Sequence, residues 1–334
     1  MNRKILALGF TDHVGLTSTR KIRRPLSRCD LDGTGCTVVE TGTAERILGI
    51  AGSRLYMLGV WRGDPRENED TSVIELLRCN VDGTACSRTD VQRPMQGRFS
   101  TRPLATLDGE SGAALVVLPG AGVSSQSLHR CPLDGSPCSS PSPLPASGAA
   151  AIAVDTHRDK LLVAIDTFSV VRCNLDGTGC VQHDIAGGAA GGWRSPKILV
   201  DVEGVHLVTA TGAFSESGDS AGIAAFRCAP DMTGCTRRDL GLGAGAHRIR
   251  SFSAGLSADE LLVATEDTYR LRKATAYRCQ RDGSGCLEID MSAGQPPTSG
   301  ACPTVLVDPV ARRLLVVTSN ESLLMRPSLF SVGL

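Results

Sequence analysis

Six times along the chain, two cysteines stand seven positions apart inside one short phrase: RCDLDGTGC, RCNVDGTAC, RCPLDGSPC, RCNLDGTGC, RCAPDMTGC and RCQRDGSGC. The pairs are Cys29 with Cys36, Cys79 with Cys86, Cys131 with Cys138, Cys173 with Cys180, Cys228 with Cys235, and Cys279 with Cys286. Successive first cysteines are separated by 50, 52, 42, 55 and 51 residues. A phrase that returns at a near-constant interval is one supersecondary unit copied in tandem, and the unit dictates the fold. Of the 13 cysteines, Cys302 alone falls outside the pairs.

Each interval holds strand-type runs and almost no helical periodicity. Two apolar runs joined by a short turn come first, as in ILVDVEGVHLVTATG, AIAVDTHRDKLLVAID and VLVDPVARRLLVVTSN. Val, Ile and Leu dominate them, as suits strands covered on both faces. A third run enters the cysteine phrase (FSVVRCNL, ATAYRCQ) and a fourth leaves it (CTVVET, CLEIDM), both alternating with polar residues as half-exposed strands do. Four antiparallel strands per repeat, apolar inside and polar outside, predict an all-β chain: a β-propeller of four-stranded blades, with residues 1–334 as one domain. Second strands are expected at 55–61, 114–118, 161–165, 206–210, 261–265 and 313–318, and RKILALGFTDH parallels them at the start. Seven second strands favour seven blades; six is the alternative, because there are six cysteine phrases. SLLMR reads as one further strand, with 328–334 completing an unfinished blade.

VLVDPVARRLLVVTSN and RCNLDGTGC resemble the repeat of propellers of the YWTD and NHL type, in which apolar-Val-Asp-Pro leads to an outer hairpin turning at Leu-Asp-Gly. AIDT, ATED and VTSN stand where the YWTD tetrapeptide would be. The resemblance covers nearly the whole chain and implies fold, since propellers include both binders and enzymes.

Asp-Gly is a strong hairpin signal, because a two-residue type I′ turn needs positive φ at both centres. With Asp32 and Gly33 in such a turn, Leu31 faces Thr34 and Cys29 faces Cys36. Facing strand residues lie close enough for a disulfide. A three-residue bulged turn is the other geometry that the second glycine permits. Six disulfides, each contributing roughly 2 kcal/mol in the loop-entropy picture, are the expectation. Free structural thiols are the alternative; zinc wants four ligands where each phrase offers two. Disulfides imply an oxidising compartment, extracellular or at the cell surface. The opening MNRKILALGF has about six apolar residues before Asp12 and His13, too few for a secretory leader. The expectation is therefore a mature secreted segment, and a cytoplasmic protein if the cysteines are reduced.

Two more columns repeat. An arginine precedes every first cysteine (Arg28, Arg78, Arg130, Arg172, Arg227, Arg278), and an acid follows four residues after the second in Glu40, Asp90, Asp184, Asp239 and Asp290. A residue needed once per blade holds the blade, so these columns predict inter-blade or turn-capping ion pairs. Function is then sought where the repeat breaks. WRGDPRENEDT presents Trp61, Arg62 and Asp64; AGGAAGGWRSPK presents Trp193 and Arg194; AFSESGDS carries Glu216 and Asp219; GLGAGAHRIR carries His247; and His13 sits in the matching first loop. Trp beside Arg on a glycine-rich loop suits ligand or protein contact. Packing of Trp193 between blades or in the channel is the competing role. His206, inside VHLVT, reads as a satisfied core histidine.

With 35 basic and 35 acidic side chains, the chain lacks the positive field that nucleic acid needs. No run of 18 apolar residues suggests a membrane span. Nucleophile elbows, phosphate-binding loops and zinc-protease motifs are absent from the sequence. The reading that follows is a monomeric, non-enzymatic binding or scaffold propeller without a cofactor, contacting a protein or glycan through one loop face. The alternative is a propeller enzyme of the lactonase or strictosidine-synthase-like kind, acting at the channel mouth, with Ca²⁺ held by loop acids.

Overall fold

The computed structural model describes residues 4–8, 25–30, 37–40, 44–62, 71–81, 83–96, 103–119, 126–146, 148–165, 169–185, 194–211, 222–240, 247–254, 259–267, 274–289, 304–308, 313–318 and 328–333. These residues form strands and turns, with no helix among them.

The strands fall into seven consecutive antiparallel sheets. The first is β1 (Lys4–Leu8), β2 (Pro25–Asp30) and β3 (Thr37–Glu40). The second is β4 (Ala44–Ala51), β5 (Arg54–Arg62), β6 (Thr71–Asn80) and β7 (Ser87–Gln96). The third is β8 (Leu104–Asp108), β9 (Ala113–Pro119), β10 (Gln126–Pro132) and β11 (Ser142–Leu144). The fourth is β12 (Ala149–Asp155), β13 (Lys160–Ile165), β14 (Ser169–Asn174) and β15 (Val181–Asp184). The fifth is β16 (Arg194–Val200), β17 (Val205–Thr211), β18 (Gly222–Cys228) and β19 (Thr236–Asp239). The sixth is β20 (His247–Ala254), β21 (Glu260–Asp267), β22 (Ala274–Gln280) and β23 (Leu287–Ile289). The seventh is β24 (Thr304–Asp308), β25 (Arg313–Thr318) and β26 (Ser328–Gly333). β26 pairs with β25 as that sheet's third strand, while SLLMR lies outside the described residues.

Contacts group the chain into two units: Met1–Asp30, Thr34–Gly148 and Cys173–Cys180 in one, Leu31–Gly33, Ala149–Arg172 and Val181–Leu334 in the other. In the first unit, Tyr56, Leu58, Ile74 and Leu76 of the second sheet pack with Ala114, Val116 and Leu118 of the third. Leu55 and Met57 alternate with Tyr56 and Leu58 along β5 and join Leu77 and Cys79 in a separate cluster. In the second unit, Leu162 and Val170 of the fourth sheet pack with Val205, Leu207 and Phe226 of the fifth. Val208, Ile223 and Ala225 pack instead with Leu261, Val263 and Tyr277 of the sixth. Period-2 alternation thus delivers each central strand's two sets of side chains to two neighbours, which is why these strands read as continuously apolar. The first strands also abut in series: β4 lies against β8, and β12, β16, β20 and β24 follow one another.

The cysteine hairpins close differently from the two-residue turn expected. In the fourth sheet, Asn174 N–H donates to Thr178 O (2.9 Å) and Gly177 N–H to Asn174 O (3.0 Å), so Leu175, Asp176 and Gly177 form a three-residue loop. The same pair of bonds recurs in the fifth sheet from Ala229 and Met232, and in the sixth from Gln280 and Gly283. This is a type I turn followed by a left-handed residue, with Gly177 at φ 84°. The residue before Asp therefore belongs to the loop. A second left-handed residue, Gly179 at φ 58°, takes up the resulting slip. The two cysteines then meet just beyond the last ladder pair, Arg172 with Val181. Five disulfides result: Cys79–Cys86, Cys131–Cys138, Cys173–Cys180, Cys228–Cys235 and Cys279–Cys286, each with Cα atoms 4.0 Å apart. Cys36, and with it the first pair, lies outside the described residues.

Candidate functional site

The described residues that border the unrepeated segments stand at strand ends. Trp61 and Arg62 are the last residues of β5, opposite Val73 and Ser72, at the end of the second sheet away from its cysteine hairpin. Arg194 begins β16 opposite Ala210, and His247 begins β20 opposite Asp267, each again at the end away from the hairpin. Because β16 lies against β20, Arg194 and His247 start neighbouring strands of the second unit. Their first strands carry bulges between Arg194 and Lys197 and between Ile249 and Ser251; β4 and β12 are bulged as well. A bulge near a strand's start re-aims the side chains there. His13, Asp64, Trp193, Glu216 and Asp219 lie outside the described residues.

The hairpin end is a different kind of surface, and its charges are committed. In four of the hairpins the Asp of the cysteine phrase accepts from the amide two residues on: Ser136 to Asp134 (2.8 Å), Thr178 to Asp176 (2.9 Å), Thr233 to Asp231 (3.0 Å) and Ser284 to Asp282 (2.8 Å). Hydrogen bonds from Ser136 hold the Asp134 carboxyl below the usual carboxylate range. The hydroxyl and then the amide of Thr178, Thr233 and Ser284 do the same for Asp176, Asp231 and Asp282. Guanidinium groups from the preceding sheet add to each effect: Arg78 on Asp134, Arg130 on Asp176, Arg172 on Asp231, and Arg238 followed by Arg227 on Asp282. Arg78 Nη1 also donates to the Asp134 carbonyl (2.7 Å). Arg78 is thus a sheet-to-sheet tie, whereas Arg227 pairs with Glu203 and Arg278 with Glu260 of their own sheets. The acid four residues past the second cysteine plays another part: Asp239, for one, pairs with Arg237 on its own strand (2.9 Å).

One junction departs from this pattern. His206 lies on β17, opposite Arg227, and is 1% exposed. Its Nε2 is 3.0 Å from Asp201 Oδ2, and Arg281 Nε, from the sixth sheet's hairpin, is 3.4 Å from the same nitrogen. Arg281 also pairs with Asp201 and, at 3.6 Å, with Glu203. Arg227 reaches the same Glu203 oxygen, Oε2 (3.2 Å). Asp201 additionally accepts from the amides of Glu203 (2.8 Å) and Gly204 (3.1 Å), capping the β16–β17 turn. Arg158 of the fourth sheet donates to Val202 O in that turn (2.9 Å). Burial pushes the Asp201 carboxyl up, but Arg281, the Glu203 amide and His206 more than offset it and leave it below its ordinary range. Burial pushes the His206 imidazole down; the Asp201 charge opposes this, and Arg281 and Arg227 reinforce it. His206 Nδ1 is buried without a hydrogen-bond partner.

Sequence reasoning read His206 as an ordinary core residue and passed over Asp201 and Arg281. A signal was there: RCQRDGSGC is the phrase with a charge directly before its Asp, where the others carry Leu31, Val81, Leu133, Leu175 and Pro230. Among the described residues no three His, Cys, Asp or Glu side chains gather as a metal site.

No family model and no curated protein matches the chain. Solved structures do. The chain is similar to a putative 6-phosphogluconolactonase from Bacteroides fragilis, at TM-score 0.57 and 12% identity over 99% of this chain and 96% of that one. It is similar to YCF48 from Cyanidioschyzon merolae, at TM-score 0.56 and 10% identity over 98% of this chain and 95% of that one. A third likeness is the β-propeller domain of the Trilobed protease from Pyrococcus furiosus, at TM-score 0.55 and 9% identity over 98% of this chain and 89% of that one. At such identities the likeness is one of fold, and the fold is a β-propeller of four-stranded antiparallel blades.

Proposed function

We propose that this chain is a non-enzymatic binding or scaffold propeller that contacts a protein or glycan through the sheet ends opposite its cysteine hairpins. The observation that supports this is the division of labour between the two ends. At the hairpin end, the turn aspartates are capped by the amides and hydroxyls of their own hairpins, and Arg78 reaches across to the backbone of the next sheet's hairpin. The unrepeated residues, including Trp61, Arg62, Arg194 and His247, fall at the other end of their sheets. Aromatic residues beside arginine are the side chains that most often anchor an interface.

The test pairs a glycan array and cross-linking to candidate extracellular proteins with the variants Trp61→Ala and Trp193→Ala. Binding that is lost in the variants while the melting temperature holds supports the reading. Cross-links that map to the hairpin tips around Asp176 and Asp231 overturn it. The five disulfides suggest an oxidising environment, and we place the protein outside the cytoplasm on that ground. Thiol titration of the denatured natural protein checks it. One reactive thiol, that of Cys302, is the expected count, and 13 would refute the assignment.

A further inference from the structure

The junction of the fifth and sixth sheets can be compared directly with that of the second and third. Tyr56 occupies on β5 the position His206 occupies on β17, each opposite the arginine of its own cysteine phrase. Tyr56 O–H donates to the carbonyl of Leu133, which stands directly before the hairpin Asp of the next sheet (2.9 Å). His206 meets Arg281, which stands at the same place in the sixth sheet's hairpin. One junction is thus a neutral hydroxyl on a backbone carbonyl, and the other a buried imidazole inside a cluster of charges.

We propose that the His206–Asp201–Arg281 cluster is an acid-released clasp: taking up a proton on His206 requires the sixth sheet's cysteine hairpin to lift from the fifth sheet. The geometry carries the argument. Arg281 Nε–H donates to His206 Nε2, so in the closed cluster that nitrogen is the acceptor and the neutral ring carries its proton on Nδ1, which is buried and faces no acceptor. A second proton can enter only at Nε2, where it takes the lone pair that Arg281 uses and sets two N–H groups against each other. The charges around the ring do not accommodate it: Asp201 and Glu203 come from the β16–β17 turn, but Arg281 already engages both. Arg227 on β18 bears on the ring as a second cation. Asp282, in the same hairpin as Arg281, is paired with Arg238 of β19 (3.3 Å). When the hairpin lifts, Arg281 leaves and water reaches the ring, so the open form takes up the proton at the ordinary histidine value near 6.5. Below that pH the open form gains on the closed one by up to about tenfold per pH unit, until the closed form itself titrates.

The full chain is followed by hydrogen exchange at the amides of Glu203 and Gly204, which the closed cluster ties to Asp201. Protection factors correct for the pH dependence of intrinsic exchange. They are expected to fall about fivefold from pH 6.5 to 5.5, while the amides of Asn174 and Gly177, in the fourth sheet's hairpin, hold steady. The double variant His206→Tyr/Arg281→Leu transplants the Tyr56 and Leu133 side chains and should give a flat profile. If that variant does not fold, His206→Phe, which leaves Arg281 on Asp201 and Glu203, should be flat as well. A flat profile in the natural protein, or an undiminished slope in the variant that folds, overturns the clasp.

Discussion

Met232 stands where the other five cysteine phrases place glycine, and it adopts the glycine conformation, φ 68°. The residue gains enough from burial to hold it there: its side chain is 4% exposed and packs with Leu207 and Phe226 of its own sheet. Gly283 faces the opposite situation. A Cβ at that position would lie 3.1 Å from Leu240 Cδ2 and 3.2 Å from Ala225 Cβ of the fifth sheet, at φ +82°. The same column therefore predicts two losses with different causes. Gly283→Ala should cost about 1–2 kcal/mol, from the left-handed backbone and the tight junction. Met232→Gly should relax its backbone yet cost about 1–3 kcal/mol, because the emptied space outweighs the relief. Urea midpoints measured at unchanged m-value check both, and a stabilised Met232→Gly would show that the side chain does not fill the cluster as described.

At the scale of the element, the hairpins show what spacing reveals and what it conceals. Cysteine spacing announced the disulfides, because strand partners close enough to bridge are what a fixed eight-residue closure around Asp-Gly produces. It did not announce the turn. A two-residue loop and a three-residue loop with a second left-handed residue close the same interval, and the choice rests on the φ angles of Gly177 and Gly179. Second strands were legible for a simpler reason: β5, β9, β13, β17, β21 and β25 are apolar on both faces and span the expected segments. The partners of His206 were not, since Arg281 lies 75 residues away in sequence and belongs to the next sheet. Each disulfide closes a small ring on an outer hairpin, and in the fifth sheet the fourth strand is the short TRRD of β19, exposed throughout. Cys228→Ala/Cys235→Ala should therefore cost about 2 kcal/mol. The loss should appear first as faster exchange in β18 and β19. Uniform loss across all the sheets would indicate that the hairpin is not a local unit.

Across the whole molecule, the buried imidazoles and the capped carboxylates set two separate acid transitions. Burial pushes His206 and His129 below the ordinary histidine value, and burial together with Arg172 does the same to His183. His129 is 4% exposed on β10, with Ser127 Oγ 3.2 Å from its Nε2. When the folded value is lower than the unfolded one, the unfolded chain binds more protons in the window between them. Stability is then complete above the unfolded value and is lost as pH falls toward the folded one. That window opens near pH 6.5, and the slope there is at most about 1.4 kcal/mol per pH unit for each histidine. The hairpin carboxylates Asp134, Asp176, Asp231 and Asp282 also have lowered values, so their contribution is present above the ordinary Asp range and lost as pH falls through the depressed values. Melting temperature against pH from 8 to 2 should therefore fall in two steps, one beginning near 6.5 and one below about 4. Replacing His129 and His206 together with Phe should flatten the upper step and leave the lower one in place. The lower step alone should weaken when Asp176 and Asp231 become Asn, which keeps an acceptor for the Thr178 and Thr233 amides but has no charge to titrate. A single unbroken decline that the histidine variants do not alter would place the acid sensitivity elsewhere, and a flat profile between pH 7 and 5 would contradict burial of these two imidazoles.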